Sequence, residues 1–261
     1  MRQVPSLRGP HSLIRFPGYV ALEALHVDPD RRSGTRAQGC VFVAEDGESY
    51  WLKHANVGGH VQGKLAAELV AGRVGAKLGV APPVAVIHVS EAAVGINGEG
   101  REFVGTAFGS RAIPDTENSK TFGGFAVPLG AENIDGFQRA RTVAFQTLIG
   151  QRDQQLLVRV TDGFLYSIDH EEWDAFDGTG DMRLVVTPVS GLSESVGRSP
   201  EEVDAAIQRV ESLSDGDLID AVSCLPSGDG WCDAEHLLRV AHVLSERRDR
   251  LGEVMRRWIQ P

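Results

Sequence analysis

Residues 148–172, LIGQRDQQLLVRVTDGFLYSIDHEE, constrain this chain more than any other stretch. Two short β-type runs, Leu156–Val160 and Phe164–Ile168, flank the turn signal Thr161-Asp162-Gly163. The segment reads as a β-hairpin. Asp153 stands just before it and Asp169 just after it. A hairpin folds back on itself, so its two ends lie close. Two carboxylates distant in sequence can then share one site. One can orient an accepting hydroxyl while the other holds Mg²⁺.

The rest of the chain divides around this segment. Residues 1–20 hold three prolines and little periodicity, and read either as an extended, packed arm or as a mobile segment. Val20–His26 reads as a first strand. Cys40–Ala44 and Ser49–Lys53 are β-type runs joined by Glu45-Asp46-Gly47-Glu48, a hairpin signal. Val61, Leu65, Leu69, Gly72 and Ala76 share a helical stripe, which predicts a helix over Val61–Leu78, stopped by Gly79 and Pro82-Pro83. Val84–Val89 and Glu102–Phe108 read as further strands. The part up to residue 108 is therefore a small antiparallel sheet with one helix. Residues 109–131, rich in Gly, Ser, Thr and Pro, read as a hinge and connecting loop. Residues 132–261 are mainly helical outside the hairpin: Ile134–Leu148, a helix capped by Ser199 with Pro200 and Glu202, Ser214–Ser223, and a long Asp233–Trp258. The fold class is α+β, with a sheet-rich N-lobe and a helical C-lobe.

Four residues carry most of the chemistry. Lys53 ends a strand, where an ammonium can meet nucleotide phosphates. Glu68 lies on the apolar stripe of the first helix, a costly place for a carboxylate without a partner. Lys53 is the natural candidate for that partner, although each alone reads more simply as a solvated charge. Asp153 is a candidate to orient or deprotonate an acceptor hydroxyl, and Asp169 a candidate Mg²⁺ ligand. Gln151, Gln154 and Gln155 surround Asp153, and an amide oxygen there can ligate a metal. Ser33-Gly34-Thr35 belong to a small-residue run that can let backbone N–H groups approach a phosphate, but the run reads equally as a flexible loop. It is no Walker A motif. His170, Glu171 and Glu172 lack metal-ligand spacing and read as a solvated turn. The absence of G-x-S-x-G argues against a serine hydrolase.

Composition removes other classes. The formal net charge of −10 argues against a general nucleic-acid binder. With 42% hydrophobic and 24% charged residues, the 261-residue chain can bury a real core. Cys40, Cys224 and Cys232 have no metal-binding spacing and read as reduced thiols. The N-terminus lacks the apolar centre of a secretory signal, and no apolar run has the length of a membrane span. A cytoplasmic protein is expected.

The order of these parts resembles the HipA-like kinases, a family related to protein kinases and phosphatidylinositol kinases. The resemblance covers residues 34–176 and weakens in the C-terminal helices. It is carried by YWLKHA around Lys53, GKLAAELVAGRVGAKLGVAPP around Glu68, FVGTAFGSRAI at the hinge, and GQRDQQLLV with FLYSIDHEEWDAF. It implies a bilobal protein-kinase-like fold with ATP and Mg²⁺ between the lobes. Lys53 becomes the phosphate-binding lysine, Glu68 its helix partner, Asp153 the catalytic aspartate and Asp169 the metal aspartate. Phe103–Phe108 becomes the inter-lobe strand bordering the adenine. Members usually carry Asn before the catalytic Asp, His after it, and an Asn ligand ahead of the next strand. This chain has Gln151-Arg152-Asp153-Gln154-Gln155 and then Leu156, a shorter loop with Gln155 in the place of that ligand. The segment before the N-lobe is short for the subdomain by which toxin members bind an antitoxin. Two functions are implied: transfer of phosphate to a protein hydroxyl or a small molecule, or a pseudokinase that binds nucleotide without turnover.

Overall fold

The computed structural model describes residues 19–28, 40–55, 63–118, 120–121, 124–125, 131–153, 155–187, 189, 192–226 and 231–259. Strand β1 (Ala21–Val27) is followed by β2 (Val41–Ala44) and β3 (Ser49–Lys53). The last two form the expected hairpin, with Phe42 opposite Tyr50, and Gly47 takes a φ of +80° in its turn. Helix α1 (Lys64–Leu78) leads to β4 (Val84–Val89) and β5 (Gly105–Arg111).

These strands close into a barrel in the order β1-β2-β3-β5-β4 rather than lying as an open antiparallel sheet. The closing pair, β1 with β4, is parallel, with Ala21 opposite Val86. An irregularity between Ala24 and His26 bends β1, so that it joins β2 at one end and β4 at the other. Closure gives each strand of this sheet a neighbour on both sides. Inside sit Phe42, Leu52, Ile87 and Ala107. Phe103 joins them from a 3₁₀ turn, Arg101–Phe103, with its ring 6.1 Å from that of Phe42 in an edge-on contact. The strand expected over Glu102–Phe108 thus begins later, at Gly105.

Helix α1 is buried nearly all round, not along one stripe, because its second side meets the C-terminal half. Its small residues make this approach feasible. A Cβ on Gly75 would lie 3.0 Å from Phe145 Cζ of the C-terminal half, and on the barrel side one on Gly72 would lie 2.5 Å from Val84 Cγ1. Gly79 ends the helix in the left-handed conformation (φ 74°), and Val80 N–H closes back on Gly75 O at 2.8 Å.

The expected connecting loop is partly structured. Residues 109–111 complete β5. Strand β6 (Thr116–Asn118) pairs with the hairpin, and β7 (Lys120–Thr121) pairs with β8 (Gly124–Phe125). Helix α2 (Gly136–Ile149) is N-capped by Asp135, which accepts from Gln138 N–H. The opening hairpin follows as β9 (Gln155–Arg159) and β10 (Leu165–Ile168), paired with Leu165 opposite Val158 and Ile168 opposite Gln155. Helix α3 (Pro200–Glu211) shows the capping box read from Ser199 and Glu202. Helices α4 (Asp215–Val222) and α5 (Ala234–Met255) complete the chain, α5 running on as a 3₁₀ turn to Trp258. One core links α1, the outer barrel residues Val86 and Phe108, and the C-terminal helices through Phe145, Leu148, Ile207 and Leu244. The three cysteines are free thiols. Among the described residues, no helix is long and apolar enough to cross a membrane.

Candidate active site

A cleft of about 540 Å³ lies between the barrel and the hairpin. Alternation along β3 decides one wall. Tyr50 and Leu52 are buried on the barrel side, and Trp51 and Lys53 are left facing outward. Phe108 is directly opposite Lys53 on β5 and also lines the cleft. Helix α1 contributes Glu68, and the end of β10 contributes Ile168 and Asp169.

The charged groups converge on one ammonium. Lys53 Nζ donates to Glu68 Oε1, to Asp169 Oδ1 at 2.5 Å and to Glu171 Oε1 at 3.0 Å. Lys64 at the start of α1 holds the other Glu171 oxygen at 3.2 Å. Burial alone would favour a neutral Lys53, but its three carboxylate partners outweigh that and raise its pKa. Glu68 is 2% exposed, and burial pushes its carboxyl above the ordinary range; Lys53 pulls it back, and Asp169 adds to the push. Burial also opposes ionisation of Asp169, yet Lys53 holds that carboxyl below its usual value. Glu68 Oε2 accepts the backbone N–H of His170 at 3.0 Å, which ties α1 to the turn after β10.

That turn depends on one backbone conformation. Leu165 and Ser167 point into the core, so continued alternation would bury Asp169 and expose His170. Asp169 instead has a φ of +59°, which the aspartate side chain tolerates better than most. The two side chains exchange sides: Asp169 reaches the cleft, while His170 is 3% exposed against the edge of Phe145. Burial pushes the His170 pKa down to about 3, so the ring is neutral. The reading of His170-Glu171-Glu172 as a solvated turn is therefore corrected for His170 and Glu171, and holds for Glu172, which is exposed. Sequence gave no sign of the inversion at Asp169, because a positive φ at a non-glycine residue leaves no pattern.

No protein-family model and no curated protein sequence matches the chain. Among solved structures, the Helicobacter pylori proinflammatory kinase CtkA superposes with a TM-score of 0.54 at 11% identity, over 93% of this chain and 99% of its own. The fold is kinase-like. Two structures of a Golgi casein kinase, one with Mn and ADP bound, score 0.45 and 0.43 at 9% and 11% identity; they are covered over 73% and 72% of their length and cover 92% and 93% of this chain.

Lys53, Glu68, Asp169, Gln155 and Phe108 meet at the cleft. Gln155 donates its amide to Asp169 Oδ2, so it meets the metal candidate through nitrogen; ligation through oxygen would need the amide reversed. Oxygens of Glu68, Asp169 and Glu171 lie within 4.8 Å of one another, a donor set that suits a hard divalent cation. Asp153 is exposed on the bend before β9 and is not among the residues lining the cleft. Phe103 is inside the barrel, away from the cleft, because the chain turns before β5 begins. Ser33, Gly34 and Thr35 lie outside the described residues. Sequence reasoning missed Glu171, Lys64 and Trp51 as members of the site. Their signals were single charges or a strand aromatic, which gain meaning only from what stands opposite.

Proposed function

We propose that this chain is an ATP- and Mg²⁺-dependent phosphotransferase of HipA-like type. The observation that supports it most is the meeting of Lys53, Glu68 and Asp169, from β3, α1 and the end of β10, in one cleft of a kinase-like fold. In this reading Lys53 binds nucleotide phosphates and Glu68 holds Lys53 in place. Asp169, with Glu171 and Gln155 beside it, holds the metal. The divalent ion would neutralise charge on the phosphates during transfer. Phe108, Val84 and Ile168 offer an apolar surface for the adenine ring, and Ser33-Gly34-Thr35 are assigned to cover the phosphates. Asp153 orients an acceptor hydroxyl on a protein or a small molecule.

The test is phosphate incorporation and ATP hydrolysis by the wild type and by Asp169→Asn. Asn keeps the left-handed backbone accessible, so the variant removes charge more than structure. Wild-type activity that disappears in the variant supports the reading, and equal rates in both refute it. The exposed position of Asp153 favours a second reading, a nucleotide-binding module without turnover. It predicts thermal stabilisation by Mg²⁺ and ATP without single-turnover transfer.

A further inference from the structure

Gln151 stood in the sequence as one of three glutamines around Asp153. Its side chain is in fact fully buried, and it bonds in three directions. Nε2 donates to the carbonyl of Asp153 at 2.9 Å and to that of Ile168 at 3.2 Å. One amide thus grips the backbone of both aspartate-bearing turns, at Asp153 itself and at the residue before Asp169. The loop between α2 and β9 is short, and this grip holds it in register with the turn after β10.

The same amide sets the hydrogen positions of its neighbours. Carbonyls only accept, so the nitrogen end of Gln151 must face Asp153 and Ile168. Its oxygen must then face Ser167 Oγ, 3.0 Å away. An amide oxygen also only accepts, so Ser167 gives its single hydrogen to Gln151. Gln146 accepts from Thr187 Oγ1 at 2.7 Å, which leaves its nitrogen to donate to Ser167 Oγ at 3.3 Å. Ser167 has no hydrogen left for His170 Nε2 at 3.1 Å. His170 must be the donor in that bond, and the neutral ring carries its hydrogen on Nε2. Nδ1 is then a bare lone pair on the side of Glu68, 3.8 Å from Oε2.

We infer that Gln151 is a positioning residue: it staples the Asp153 bend to the Asp169 turn and, through Ser167, holds His170 as the Nε2–H tautomer. The consequence for catalysis rests on the kinase reading, whereas the staple and the tautomer do not.

The experiment is nitrogen-15 NMR of the histidine rings in the full-length protein without nucleotide, with His170 assigned by its loss in His170→Gln. The wild type should show His170 as Nε2–H. In Gln151→Leu, Ser167 is free to donate to His170, and the ring should switch to Nδ1–H. Gln151→Glu still accepts from Ser167 but cannot donate to the two carbonyls. It should keep the Nε2–H tautomer and lose the staple, with kcat falling about a hundredfold. KM for ATP should hold within about threefold, because the apolar wall is untouched. A structural role alone would not separate tautomer from turnover in this way. A wild-type Nδ1–H spectrum, which requires no variant to fold, overturns the assignment. A wild-type kcat in Gln151→Glu overturns the positioning role. Absence of turnover in the wild type refutes the kinase reading alone; the wild-type and Gln151→Leu spectra then decide the tautomer, and loss of protection of the amides in the 151–153 and 168–170 turns in Gln151→Glu, read by hydrogen exchange, decides the staple.

Discussion

Part of the weakening of this fold in acid should come from one buried residue, His170. The ring is buried and neutral, with a pKa near 3 against 6.5 for a free histidine. Below pH 6.5 the unfolded chain takes up a proton that the native chain does not accept until about pH 3. Stability contributed by the neutral ring is therefore complete above pH 6.5 and is lost as pH falls. At pH 5 the loss is about 2 kcal/mol, and at pH 4 about 3 kcal/mol, since each pH unit below the unfolded value is worth about 1.4 kcal/mol. The comparison is His170→Gln, whose amide can still donate to Ser167 but does not titrate. Urea unfolding at pH 7.5, 6 and 5 measures both proteins, and carboxylates shared by the two cancel in the difference. The wild type should lose about 2 kcal/mol more than the variant between pH 7.5 and 5. Parallel losses would refute the buried neutral ring.

Three further outcomes follow from the packing and charge. Gly72→Ala drives a methyl against Val84, whose Cγ1 would lie 2.5 Å from it, and should destabilise by about 1–3 kcal/mol in urea. Adding Val84→Ala should relieve the clash, and failure of that rescue would count against close contact between α1 and β4. Lys53→Met leaves Glu68, Asp169 and Glu171 without their shared ammonium. Calorimetry should then show Mg²⁺ raising Tm more in the variant than in the wild type, while stabilisation by ATP disappears. Arg247 is fully buried and donates to the carbonyls of Thr147 and Ile149 in the last turn of α2, at 3.3 and 3.2 Å. Arg247→Met should cost about 2 kcal/mol by stranding those carbonyls, measured by thermal or urea unfolding.

Much of the architecture was legible because its causes are local. The β9–β10 hairpin follows from two β-type runs around Asp162-Gly163. The start of α3 follows from Ser199, Pro200 and Glu202, whose capping interactions span four residues. The end of α1 follows from Gly79. The pairing of Lys53 with Glu68 was legible too, because a carboxylate on an apolar stripe demands a cation, and the order of strand Lys, helix Glu and later aspartates made Lys53 the candidate.

Tertiary structure decided what depends on distant partners. Barrel closure needed β1 to find β4, a parallel pairing that no turn encodes. Phe103 went to the barrel interior because Phe42 was there to receive it. Glu171 became part of the site because Lys53 and Lys64 stand opposite it. The sharpest case is the pair Asp169 and His170. Sequence placed an aspartate at the end of a strand, and alternation would have buried it. The positive φ that turns it outward is held from both sides, by Lys53 on its carboxylate and by Glu68 on the next N–H. Those bonds join β3 and α1 to the end of β10, and they exist only after the chain has folded.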